Sequence, residues 1–216
     1  AVILVLIQVG GLGLVTLTSF FALAMRRRMG FRDLRVLGES VSADGYAQAK
    51  DVLRIVVGLA ALFEGIGILL LLVAFVPQFG LQGIWISIFT AISAFCNAGF
   101  DLFGQFGAYS SLVPYVHNYY VQAVVMFMII AGGLGFMVWV ELIQYPKKRK
   151  LSLHARVVLI FSVLLWVGGA ALIGLLEWNN PASMGNLSAG DKIMASLFQS
   201  VSTRTAGMLS LIHISE

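Results

Sequence analysis

Apolar residues in this chain neither alternate nor keep to one side of a helical period; they come as four near-continuous runs. Residues 1–25 (AVILVLIQVGGLGLVTLTSFFALAM) stop at Arg26, Arg27 and Arg28, and residues 55–76 (IVVGLAALFEGIGILLLLVAFV) stop at Pro77. Residues 119–144 (YYVQAVVMFMIIAGGLGFMVWVELIQ) stop at Pro146 and Lys147–Lys150, and residues 157–178 (VVLIFSVLLWVGGAALIGLLEW) stop at Asn179, Asn180 and Pro181. Each reaches the ~20 apolar residues that cross a hydrocarbon core, and each predicts a spanning helix. A fifth apolar stretch, Ile84–Phe95 (IWISIFTAISAF), is too short for that: twelve residues at ~1.5 Å each cover about 18 Å of a ~30 Å core.

The basic residues orient these runs. Of 14 Lys and Arg, seven fall within 26–54 (Arg26, Arg27, Arg28, Arg32, Arg35, Lys50, Arg54) and five within 147–156 (Lys147, Lys148, Arg149, Lys150, Arg156). Only Lys192 and Arg204 lie elsewhere. By the positive-inside rule both basic loops are expected in the cytoplasm. Segment 55–76 then leaves the cytoplasm, segment 119–144 returns, and residues 77–118 must make an even number of crossings. A re-entrant hairpin satisfies this: a half-helix enters from outside, stops near mid-depth, and the chain climbs back out. Non-helical backbone at that depth is tolerated only when buried in protein or lining a watery cavity, so Cys96–Asp101 is expected to line one.

Composition fits this picture. The 216 residues are 59% hydrophobic and 11% charged, with a mean hydropathy of +0.93; soluble domains sit nearer 45–50% apolar and ~25% charged. The net charge of +4 and pI near 9.4 do not indicate a nucleic-acid face, because the charges alternate with spanning segments. One cysteine, Cys96, excludes an internal disulfide. The chain opens on Ala1 inside a hydrophobic run and is expected to be a piece of something longer.

The chain also repeats. Gly10-Gly11-Leu12-Gly13 recurs as Gly132-Gly133-Leu134-Gly135, and FTAISAFCNAGF (89–100) matches FQSVSTRTAGM (198–208) with one residue gapped. The unit is helix, half-helix, ascending loop, helix, repeated in one orientation about an axis along the membrane normal. The expected architecture is all-α and integral to the membrane, with parallel helix–pore-loop–helix repeats around a central ion pore. Residues 1–25 form the inner helix of repeat one, 26–54 a cytoplasmic basic loop, and 55–144 the complete second repeat. Residues 145–156 form the second cytoplasmic loop, 157–208 the outer helix and pore loop of the third repeat, and 209–216 a tail.

A half-helix entering from outside aims its C-terminus, worth about −0.5 charge, at the membrane centre, which favours a cation. Asn97-Ala98-Gly99 and Thr205-Ala206-Gly207 supply small residues and a glycine that adopts positive φ. Consecutive carbonyls can then face one way, as in pores that select potassium by replacing its hydration shell. One such site alone reads as an ordinary helix-ending glycine; two at matching places in a repeat favour the ion path.

SAFCNAGFDLFG, QSVSTRTAG and the two Gly-Gly-Leu-Gly helices resemble the Trk/Ktr/HKT superfamily of potassium-uptake proteins, and most closely the membrane subunit of bacterial Ktr systems. The resemblance covers about residues 1–208 and implies four helix–loop–helix units around one potassium path in a bacterial plasma membrane. Asn97, Ala98, Gly99, Thr205, Ala206 and Gly207 then belong to its ion filter, holding K+ through backbone carbonyls, with Glu64, Asp101 and Arg204 as supports. It implies no bound cofactor, a homodimer in contact with lipid, and a cytoplasmic ring of nucleotide-binding regulatory subunits facing loops 26–54 and 147–156. The first filter loop, the fourth unit and the third unit's inner helix are missing from the pattern. Met208 stands where a Phe is usual, and Leu209–Glu216 (LSLIHISE) departs from the family and resembles translated adaptor sequence.

Individual residues carry narrower expectations. Arg204 should point behind its loop and pair with a carboxylate or loop carbonyls, since an unpaired charge at depth is costly. Glu64 either accepts from pore-loop N–H groups or Arg204, or acts directly near the ion. Asp101 either concentrates cations at the mouth or caps the loop. The Gly-Gly-x-Gly motifs lack nucleotide-loop spacing and read as close helix packing. Cys96 reads as a small filler, and His117, His154 and His213 fall outside the spans. Of Trp85, Trp139, Trp166 and Trp178, the first and last suit an outer interface. An intramembrane hydrolase would need a nucleophile–base pair at depth, and no His lies in a span. A secondary cation or solute transporter remains the alternative, though such proteins favour inverted repeats.

Overall fold

The computed structural model describes residues 2–11, 13, 41–105, 111–181 and 183–208, with side chains of the second helix described from Arg54 onward. The described residues contain no strand. Among the described residues seven helices follow one another: α1 (Val2–Gly11), α2 (Val41–Phe79), α3 (Leu81–Phe95), α4 (Tyr119–Gly133), α5 (Phe136–Lys148), α6 (Leu153–Glu177) and α7 (Ala189–Thr205). Short 3-10 turns occupy Phe103–Gln105 and Val113–Tyr115. The arginine cluster at 26–28 and the tail 209–216 lie outside the described residues.

Two helices are long and apolar enough to span a membrane, Arg54–Phe79 within α2 and Leu153–Glu177. The helix α2 starts within the predicted basic loop, and its last turn carries Pro77. A proline there removes one terminal hydrogen bond without breaking a long ladder. α3 turns straight back along α2 and begins three residues before the sequence pattern suggests. Its 15 residues cover about 22 Å, still short of a hydrocarbon core.

α4 is the centre of the assembly, packing on α2, α3 and α7. Val121, Val125 and Met128 on it are fully buried. The α2–α3 and α6–α7 hairpins flank it, so α3 and α7 lie on either side of one helix. Around this seam, Phe63 stacks on Phe95 and meets Trp139 at 4.5 Å between ring centroids. α6 faces outward, with Leu175 80% and Leu176 79% exposed, as suits a lipid-facing helix.

The predicted straight span 119–144 is broken. α4 stops at Gly133, Gly135 takes φ 84, and α5 leaves at 100° to α4. With its geometry the pair is either one broken span or a re-entrant element. The indole of Trp139 donates to the carbonyl of Ala131 at 2.8 Å, satisfying an acceptor that the interrupted ladder leaves open. Trp139 is thus a brace at the bend, not an interfacial anchor. Trp85 and Trp178 are partly exposed, near the start of α3 and at the end of α6, while Trp166 packs against the core.

Candidate functional site

α3 and α7 end alike, beside each other. Beyond α3, Cys96 closes the helix, the Asn97 amide donates to the carbonyl of Ala94 at 3.2 Å, and that of Ala98 to Ser93 at 2.9 Å. Such a double closure needs a left-handed residue, and Asn97 supplies it with φ 54; asparagine tolerates this region better than most side chains. Beyond α7 the amides of Ala206 and Gly207 both donate to the carbonyl of Ser202 at 2.9 Å, and Gly207 carries φ 70.

The two endings touch. Thr205 Oγ1 donates to Asn97 Oδ1 at 2.9 Å. Gly99, at φ 75, lies so close to the second loop that a Cβ there would run into the carbonyl oxygen of Ala206. Only glycine satisfies both the dihedral and the space. On the other side, Gly132 of α4 lets the helix approach until a Cβ would overlap the carbonyl oxygen of Phe95. The Gly-Gly-Leu-Gly motif therefore packs a helix against the loop and then breaks that helix.

Among the described residues, no hydrogen bond reaches the carbonyls of Asn97, Ala98, Gly99, Thr205, Ala206 or Gly207. Two helix C-termini, each a partial negative charge, converge on these free oxygens. Dipoles of that sign favour a cation over an anion without any ionised ligand. No group of three His, Cys, Asp or Glu able to hold a metal occurs among the described residues.

The supporting residues fall differently. Glu64 is buried, and its two oxygens accept from Gln8 Nε2 at 2.9 and 3.0 Å, with Cys96 Sγ at 3.9 Å. This partner replaces the expected Arg204 or loop amides; the carboxylate ties α2 to α1 beneath the loop. The Arg204 guanidinium lies over the Trp166 ring, 5.8 Å from the centroid. A cation–π contact at a helix C-terminus thus takes the place of the expected carboxylate or carbonyls. Asp101 Oδ1 accepts from the Phe103 amide at 2.9 Å, so it caps the following turn.

Sequence reasoning missed Gln8, the lone polar side chain in the run 1–14 and identifiable on that ground. It also missed a clasp between α7 and the segment before α4. His117 Nδ1 lies 2.9 Å from Asp191 Oδ2, and Ser188, the N-cap of α7, donates to the same oxygen at 2.7 Å. The hydrogen bonds from Ser188, then Tyr119 and His117, hold the Asp191 carboxyl down to about 2.

A sequence comparison completes the geometry. The pattern of TrkH, described as a cation transport protein, matches residues 2–216. The chain belongs to the TrkH family. Family membership makes it part of an ion-transport lineage, not an enzyme lineage. TrkH relatives include the potassium/sodium uptake protein NtpJ of Enterococcus hirae, 35% identical over 213 residues, or 98% of this chain and 46% of the relative. The Ktr system potassium uptake protein B of Bacillus subtilis is 33% identical over 211 residues, covering 97% and 46%. Its namesake in Vibrio alginolyticus is 34% identical over 209 residues, covering 95% and 45%. The chain thus spans about half the length of the curated relatives it matches. The TrkH match runs through residue 216 and does not stop at the departure expected at 209.

Proposed function

We propose that this chain contributes to the potassium-conducting pore of a multi-pass uptake subunit in a bacterial plasma membrane. Segments 97–99 and 205–207 are two of four filter segments, and K+ passes along their backbone carbonyls. The observation that carries this reading is the pair of free carbonyl stretches, side by side at two helix C-termini. The relatives, each named as a potassium or potassium/sodium uptake protein, support the choice of ion.

In this reading the basic loops 26–54 and 145–156 face the cytoplasm and a ring of nucleotide-binding regulatory subunits, the pore subunit is a homodimer, and α6 faces lipid. Residues 55–144 make one complete repeat and 157–208 the first part of the next. No cofactor is needed, because carbonyl dipoles do the selecting.

A second reading, a secondary transporter, draws on the 100° break between α4 and α5, since broken helices often mark transporter sites. Flux into proteoliposomes carrying the complete subunit separates the two. A pore passes K+ passively in either direction along its gradient. Obligatory coupling of every K+ movement to a second solute would replace the pore with the transporter.

A further inference from the structure

The hydroxyls of Ser93 and Ser202 do something that other hydroxyls on the same helices do not. A serine or threonine inside a helix ordinarily donates back to the carbonyl four residues earlier. Ser87 does so to Gly83 at 2.7 Å, Ser196 to Lys192 at 2.7 Å and Thr203 to Gln199 at 2.8 Å. Ser93 instead reaches forward to the carbonyl of Phe100 at 2.6 Å, and Ser202 to that of Met208 at 2.5 Å. Both side chains are wholly buried.

These two bonds are equivalent under the repeat. With one residue gapped, Ser93 aligns with Ser202, Ala98 with Ala206, and Phe100 with Met208. Each serine also accepts, through its own carbonyl, from the aligned alanine amide at 2.9 Å. Each serine therefore holds the loop at two points: the amide of the alanine before the glycine and the carbonyl of the residue after it. Between the grips lie Gly99 and Gly207, at φ 75 and 70. Holding the chain one residue before and one residue after a glycine narrows the dihedrals open to it, which otherwise range widely.

We propose that Ser93 and Ser202 are positioning residues for ion selection, each setting the orientation of the peptides around its filter glycine. The carbonyls up to the glycine stay free for the ion, and the next one is withdrawn into a hydroxyl bond. The carbonyl ladder therefore ends at Gly99 and Gly207. This rests on the reading that 97–99 and 205–207 line the ion path.

The test uses the complete subunit in cells lacking other potassium uptake, comparing K+ with Na+ uptake and the amount of folded protein. Ser93→Ala and Ser202→Ala should each lower the K+ preference about fivefold, the worth of one hydrogen bond, with folded protein retained. Ser93→Thr and Ser202→Thr, which keep the hydroxyl, should restore it. If an alanine variant fails to accumulate, the matching Ser→Cys, a similar shape with a weak donor, carries the same two outcomes. Gly99→Ser runs alongside. Unchanged preference in the serine variants while Gly99→Ser loses preference overturns the positioning role and leaves the ion path standing. Unchanged preference in Gly99→Ser as well takes down the ion path and this inference together.

Discussion

Thr205 and Asn97, 108 residues apart in the chain, share a 2.9 Å hydrogen bond between their side chains. The interval equals that from Gly99 to Gly207. The bond therefore joins equivalent positions of two repeats, and the contact between repeats is made at the site itself. Thr205→Val removes the donor and should weaken the junction by about 1 kcal/mol. Asn97→Ala should cost more, because it also puts an ordinary side chain at φ 54. Melting of the purified subunit in detergent measures both, and the double variant should show coupling of about 1 kcal/mol.

Two adjacent glycines on α4 should respond very differently. Gly132→Ala drives a methyl group into the Phe95 carbonyl and should destabilise the fold by about 1–3 kcal/mol as α4 is pushed from the loop. A Cβ at Gly133 meets only Asn97 Nδ2 and Thr205 Oγ1, at an ordinary 4.0 Å. Gly133→Ala should therefore stay within about 0.5 kcal/mol of the parent. Folded yield by size-exclusion chromatography distinguishes them.

Much of this site was legible in the sequence, for local reasons. Asn-Ala-Gly and Thr-Ala-Gly after an apolar half-helix announce positive φ, and Asn97, Gly99 and Gly207 carry it. The half-helix could be recognised by length alone. What stayed hidden depends on chain reversal or distance. Glu64 finds Gln8, 56 positions away. Ser93 and Ser202 look like any helical serine until the loop folds back over them. The bend at Gly135 escaped because Phe136–Val140 continues the apolar run, and hydropathy cannot tell a straight span from a broken one.

Glu64 should matter more to folding than to ion choice. Its carboxylate serves Gln8 on α1, and Glu64→Ala leaves that half-buried amide without its acceptor, at about 1 kcal/mol. Folded yield should fall while K+ preference in the surviving protein holds. The reverse pattern would assign the carboxylate a direct part near the ion.

The clasp at Asp191 gives a pH dependence. The Asp191 carboxyl is held at about 2, below its ordinary 3.8, first by the Ser188 hydroxyl and then by Tyr119. A depressed carboxyl contributes stability above its unfolded value and loses it as pH falls through the folded one. Melting temperature should therefore show no pH dependence from this group between about pH 5 and pH 8, where its contribution is fully present, and a decline from near 3.8 down toward 2. Asp191→Asn should flatten that decline.

The central claim is that carbonyls at Gly99 meet the ion. Gly99→Ser in the complete subunit tests it most directly, because the added side chain must contend with φ 75 and with the Ala206 carbonyl at once. Uptake of K+ against Na+ in cells or proteoliposomes should show a marked loss of K+ preference with folded protein still present. Full K+ preference in that variant would contradict the account.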